Sequence, residues 1–251
     1  MLKVKPELII APLDGGARRD NSPEARTDAF LLALALAFND LKFCVTLMGR
    51  IAERRSPEHS LAVEGELSGI SAQAARYGCG ILREILALIE ERREVLAIPR
   101  FVEITGALPP AAARDWQVVT DLALSRSSLK RVLVKIRANA AFHYSQTAGL
   151  AAAYRHHFYE EPRTSINETA YIAVGKNWAE TRFYFADAAA TAAMMQAAKR
   201  EGLDLDDFNQ ELTDALWSAS SAIYALVAVW LRAKNGETFE RPEAAPDESG
   251  G

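Results

Sequence analysis

"SPEARTDAF", Ser22 to Phe30, is the stretch that decides how this chain is built. The Ser22 hydroxyl can accept from the free amides of a first helical turn. Pro23 has the fixed φ that suits the first helical position, and Glu24 favours the positive end of the helix dipole. The apolar run Ala29 to Phe38 follows without glycine or proline, so the spacing predicts a helix to about Arg55. "SPEHS" at Ser56 repeats the start signal and opens a second helical segment, with His59 on its surface. Gly65 and Gly69 each cost about 1 kcal/mol against alanine in a helix, so a break is expected there. From Ser71 to about Leu96 the helical pattern returns, with Ile85, Leu88, Ile89, Val95 and Leu96 as its apolar stripe.

Farther along, Pro99 is expected to close that helix and residues 97–108 to form a connector. Pro109-Pro110 open a helix to about Ser125, and Ser127 or Ser128 caps the next, which runs to about Glu160 before Pro162. Residues 161–169 read as a loop. "AYIAVGKNWAETRFYF" carries two β-type runs, Tyr171–Val174 and Thr181–Phe185, around a Gly-Lys-Asn turn, and predicts a small hairpin. "ADAAATAAMMQAAKREG" is a helix with Gly202 just past its end, and a last helix starts around Asp204 to Asp207 and reaches about Lys234. The expected fold class is mainly α: a helical bundle of about six to seven helices with a small β-hairpin insertion around 170–186. Residues 22–234 form a single domain, 1–21 an irregular N-terminal arm, and 235–251, rich in Gly, Pro, Glu and Asp, a disordered tail.

The 251 residues carry a formal net charge of −4, with 49% hydrophobic and 25% charged residues. That balance excludes a protein that coats nucleic acid through bulk positive charge, and leaves room for a local basic site. Cys44 and Cys79 have no CxxC spacing and no neighbouring histidine, and read as buried reduced thiols. The N-terminus lacks a signal-peptide layout. Ala215 to Leu231 holds no formal charge and approaches the length of a membrane span, but Ser218, Ser220 and Ser221 dilute it. It reads as a buried core helix, with no membrane and a cytoplasmic location expected.

Several motifs fail on inspection. Gly175-Lys176 lacks the upstream glycine and following Ser/Thr of a phosphate loop. "DLDDFNQELTDA" from Asp204 has Asn209 where a calcium loop needs glycine and Ala215 where it needs glutamate. Gly65 and Gly69 make a small-xxx-small pattern with a charge inside it. Adjacent His156 and His157 point to different helix faces, and read as surface or interface histidines. No metal and no cofactor is expected.

"KIRANAAFHY", Lys135 to Tyr144, asks for another explanation. Asn139 and His143 are neighbours on one helical face, Arg137 can wrap toward them, and Ala138, Ala140 and Ala141 allow close approach of a helix or ligand. These residue types suit phosphodiester chemistry. A histidine can move a proton to or from an RNA 2′-hydroxyl or a leaving oxygen. An arginine can hold a phosphate through paired hydrogen bonds, and an asparagine can orient the imidazole. Lys130, Arg131, Lys135 and Arg137 add a basic strip that favours a phosphate-bearing partner or forms a solvated face.

The segment resembles the HEPN superfamily, which is all-helical and marked by an arginine, four to six residues of any type, and a histidine. Arg137 and His143 fit with five between them, and "FHY" at Phe142 to Tyr144 looks like that of uncharacterised bacterial HEPN-like proteins. The family often has a polar residue directly after the arginine; here that position is Ala138 and the asparagine follows at Asn139. The resemblance implies a metal-independent endoribonuclease of a toxin or defence system, with RNA as ligand. It further implies a homodimer whose motif helices share a cleft, and a cognate antitoxin or other protein partner. In it His143 is general base or acid, Arg137 the phosphate clamp, Asn139 an orienting group and Tyr144 a hydroxyl or stacking group, with Lys130, Arg131 and Lys135 binding substrate. The alternative is a non-catalytic helical module that binds a protein or nucleotide and dimerises through the same helix.

Overall fold

The hydroxyl of Ser22 accepts from the Ala25 amide at 3.2 Å, and its carbonyl from the Arg26 amide at 3.0 Å. Those bonds open α1, Pro23–Arg54. The structure, a computed structural model, describes residues 22–54, 56, 61–138, 147–160, 172–173, 176 and 181–235. Within them the chain is all-α in architecture, with eight α-helices where six to seven were expected.

Helix α2, Leu61–Glu91, runs unbroken through the two glycines that were expected to interrupt it. The reason is tertiary. A Cβ on Gly65 would lie 3.0 Å from the Tyr184 ring, and one on Gly69 only 2.2 Å from Arg182 Nε. The missing side chains admit Arg182 and Tyr184 against α2, and that packing offsets the weak helix propensity of glycine.

A 3-10 turn, Arg93–Ala97, follows, and then α3, Pro99–Gly106, where a connector was expected. Pro99 starts this helix instead of only closing the one before, because its missing amide costs nothing in a first turn. Phe101 fills the junction, edge-on to Phe30 at 5.5 Å and to Trp116 at 5.9 Å. Helix α4 spans Pro110–Leu124, and α5 spans Ser128–Ile136 with the Ser127 hydroxyl accepting from the Lys130 amide.

Arg137 and Ala138 continue α5 with wider π-type spacing. The expected single helix to Glu160 is described at its two ends only: α5, and α6, Thr147–Arg155, with a π-type turn at His156–Glu160. The loop at 161–169, the arm at 1–21, His59 and the tail at 236–251 lie outside the described residues.

The expected hairpin is corrected to one short bridge. Strands β1, Ile172–Ala173, and β2, Arg182–Phe183, pair antiparallel with Ile172 opposite Phe183 and Ala173 opposite Arg182. Tyr184 and Phe185, read as strand, begin helix α7, Tyr184–Arg200. The alanine-rich run from Ala186 is a strong helix former, and it recruits the aromatic residues before it. Gly202, at φ +82°, ends α7, while the Leu203 amide reaches back to the Ala198 carbonyl. Asp204 caps α8, Leu205–Asn235, by accepting from the Asp207 amide at 2.8 Å.

One hydrophobic core joins α1, α2, α3, α4, α5, α7 and α8, with Leu34, Leu86, Ile136, Ile223 and Leu226 fully enclosed. Trp230 Nε1 donates to Asp28 at 2.8 Å and ties α8 to α1. Cys44 and Cys79 are buried free thiols, and burial pushes the Cys79 thiol up to about 12. Helices α1 and α8 are both long and apolar enough to cross a membrane. Each also has a buried side in this core, and Leu32, Leu36, Phe43, Trp217 and Tyr224 are exposed on the other.

Candidate functional site

Helix α5 buries Leu129, Val132, Leu133 and Ile136 along one stripe, which turns Arg131, Lys135 and Arg137 outward and leaves Lys130 mostly covered. Each of the four cations meets a carboxylate. Lys130 Nζ lies 3.0 Å from Glu90 and also donates to the Ala123 carbonyl that ends α4. Arg131 and Lys135 grip the two oxygens of one carboxylate, Glu201, just past the end of α7. Hydrogen bonds from Lys135 and Arg131 hold the Glu201 carboxyl below the usual glutamate range. Arg131 is further fixed by the Arg126 carbonyl and the Ser128 hydroxyl. Arg137 Nε lies 2.8 Å from Glu84, with side chains 43% and 59% exposed.

Of the expected site, Arg137, Lys130, Arg131 and Lys135 are therefore placed, and Glu201 brings Arg131 and Lys135 together. Asn139, His143 and Tyr144 lie outside the described residues, as do Ala140 and Ala141. Among the described residues no three His, Cys, Asp or Glu side chains converge to hold a metal ion.

A second group of cations lies on α6 and at the end of α7, where Lys199 and Arg200 directly precede Glu201. Between α6, its π-type turn and α7 runs an open groove of about 370 Å³, lined by Arg155, His156, Glu160, Gln196, Lys199 and Arg200. Lys199 and Arg200 close the last turn of α7, where cations suit the negative end of the helix dipole. His156 Nδ1 lies 3.2 Å from Glu160 Oε2. Arg155, Lys199 and Arg200 are exposed and, among the described residues, have no carboxylate partner. Three permanent cations thus face a groove that holds one carboxylate.

The same stretch is aromatic. Tyr154 stacks at a tilt on Phe158 at 4.8 Å and meets Tyr159 at 6.1 Å and Phe185 at 6.4 Å. Phe183 continues the chain of rings at 6.0 Å from Phe185. The two ends of this chain stand out in solvent, Tyr159 at 72% exposure and Phe183 at 55%. The surface or interface reading of His156 and His157 gives no role to the residues beside them. The signal was there in "YRHHFYE", Tyr154 to Glu160, where basic residues interleave with rings.

A third polar cluster sits where the α2 glycines admit Arg182. Its guanidinium meets Asp187 at 2.8 Å and Glu66 at 3.3 Å, and Arg76 reaches the same Asp187 at 3.3 Å. These are fold-closing pairs between α2 and the start of α7, mostly shielded from solvent.

No protein-family model, no curated protein and no solved structure matches this chain.

Proposed function

We propose that this chain is a HEPN-like, metal-independent endoribonuclease of a toxin or defence system, working as a cytoplasmic homodimer on RNA. The observation that carries the reading is the setting of Arg137. Its guanidinium stands half-exposed at the end of α5, where the backbone widens to π-type spacing, a geometry frequent at functional sites. Its ion pair with Glu84 is open to water, and exposed pairs of this kind contribute only about 0–1 kcal/mol. A phosphate offers the same guanidinium two charge-assisted hydrogen bonds, so exchanging carboxylate for phosphate costs little.

The chemistry follows from the residue types. His143 takes the proton from the ribose 2′-hydroxyl, the 2′-oxygen attacks phosphorus, and the P–O5′ bond breaks with a proton delivered to the leaving oxygen. Arg137 stabilises the charge that builds on the non-bridging oxygens, and Asn139 orients the imidazole. Tyr144 stacks on or donates to the substrate. The product is a 2′,3′-cyclic phosphate and a free 5′-hydroxyl, with no metal required. Incubation of purified protein with mixed RNA in chelator tests this directly. Wild type is expected to cleave, and His143→Ala to lose cleavage while keeping its helical circular dichroism. Unchanged cleavage by that variant removes His143 from the mechanism.

One observation favours a second reading, a non-catalytic module that binds RNA, a nucleotide or a protein, including a cognate antitoxin. Every cation of the α5 strip already has a carboxylate. Stable dimers that bind RNA and never cleave it would select this reading.

A further inference from the structure

The groove between α6 and α7 presents two properties that arise from different residues. The first is unspent positive charge: Arg155, Lys199 and Arg200 have no carboxylate partner among the described residues, although acids are plentiful in a chain of net charge −4. The α5 strip is neutralised by Glu90, Glu201 and Glu84, whereas these three have no carboxylate among the described residues. The second is the line of rings on the same helical stretch and at the start of α7, ending in exposed Tyr159 and Phe183. Exposed rings cost hydrophobic free energy, and adjacent unpartnered cations repel one another. Both features lie along α6, its π-type turn and α7: the cations gather at the end of α7, Tyr159 sits beside Glu160 of the groove, and Phe183 stands about 24 Å away along α7, at its start.

A positively charged groove that tracks a backbone, flanked by rings on which bases stack, is the physical requirement for holding a single-stranded polynucleotide. We infer that the α6–α7 groove is a single-stranded RNA track. Arg155, Lys199 and Arg200 hold consecutive phosphates, and Tyr159 and Phe183 offer stacking faces to the bases. A duplex meets only the first need, because its phosphates are exposed but its bases are stacked on one another and hidden from the rings. The choice of RNA over DNA rests on the proposed ribonuclease reading; the groove chemistry does not.

The test is fluorescence anisotropy of the full-length protein with a labelled 2′-O-methyl oligouridine of about 12 nucleotides, within the usual span of such tracks. The blocked 2′-oxygen cannot attack phosphorus, so binding is read apart from cleavage. Wild type is expected to bind, and more tightly than to a duplex of equal length. Replacing Arg155, Lys199 and Arg200 together by alanine is expected to weaken binding about 100-fold at 0.1 M salt and to flatten the log–log salt slope by about 2, as loss of three phosphate contacts requires. Tyr159→Ala is expected to weaken it about 10-fold without changing the slope. Gln196→Glu, nearly isosteric and placed in the groove, is expected to weaken binding even if the triple variant folds poorly. Alanine at exposed Lys42, Arg54 and Arg114, on α1 and α4, neither of which lines the groove, removes the same charge and is expected to change affinity only about 2-fold.

Wild-type affinity and slope in both the triple variant and Gln196→Glu would overturn the inference. So would absence of binding by wild type at low salt, or equal binding of the duplex. A wild type that binds the methylated oligouridine and never cleaves RNA leaves the track standing and removes the nuclease.

Discussion

Two basic regions of the molecule treat the same chemistry in opposite ways. On α5, Lys130, Arg131, Lys135 and Arg137 form the basic strip, and the fold gives each an acid. The α6–α7 groove collects Arg155, Lys199 and Arg200 and gives them none among the described residues. The lesson is that a run of cations in sequence does not mark a site. Charge that folding leaves without a carboxylate among the described residues gains most by meeting an external phosphate, and a water-exposed pair such as Arg137–Glu84 gains more than a shielded one.

The comparison can be broken or sharpened by substitution. The largest expected effect concerns what α5 is for. Ile136→Ala empties a fully enclosed position on its inner stripe and is expected to cost about 2–5 kcal/mol of unfolding free energy. Tyr159→Ala, at the exposed end of the ring chain, is expected to change stability by no more than about 0.5 kcal/mol. Urea denaturation of the two variants reads this difference. Equal losses would mean that the rings near the groove are scaffold.

A smaller effect is expected at the α2 glycines. Gly69→Ala gains about 1 kcal/mol of helix propensity, but its Cβ meets Arg182 Nε and drives that side chain off Asp187 and Glu66. Breaking a shielded charge cluster outweighs the gain, so a net loss of about 1–2 kcal/mol is expected by the same denaturation. A stabilised Gly69→Ala would show that Arg182 moves aside freely.

The next prediction turns one region into the other. Glu201→Gln removes the carboxylate shared by Arg131 and Lys135, so two of the strip's four cations lose that charged partner. Affinity for the methylated oligouridine is expected to rise, by up to about 10-fold at low salt. Stability moves the opposite way. The Glu201 carboxyl titrates below its ordinary value of 4.5 in the folded protein, so its contribution is present above that value. It is lost as pH falls through the lowered range. The gap between wild type and Glu201→Gln should therefore be open at pH 7 and close on acidification. A gap that widens in acid would refute the assigned pairing. The smallest effect is expected at Glu84→Ala, which removes an exposed partner of Arg137 and should cost under about 1 kcal/mol.

Much of the helical framework was legible because its signals are local. Ser22-Pro23-Glu24, Pro109-Pro110, Ser127, Asp204 and Gly202 each act through bonds within a few residues, and α1, α4, α7 and α8 begin or end where those signals lie. The readings that failed depended on distant neighbours. Gly65 and Gly69 weaken an isolated helix, and only the arrival of Arg182 and Tyr184 more than a hundred residues later explains why α2 continues. Tyr184 and Phe185 look like strand until the alanines after them extend a helix backward. The site was less legible still. Lys130 and Arg131 invite attention as a basic pair, yet Glu90 and Glu201, which neutralise them, are remote in sequence. Arg155 and Lys199 are equally remote from each other, and nothing before folding places them on one groove.

The most direct test of which region meets RNA is photo-crosslinking of full-length protein to a 4-thiouridine oligonucleotide, followed by mapping of the linked peptides. Crosslinks are predicted in residues 154–160 and 182–185, where Tyr159 and Phe183 present their rings. Crosslinks absent from both stretches, and found instead on the exposed rings of Trp217 and Tyr224 along α8, would contradict the groove as the place where this protein meets its ligand.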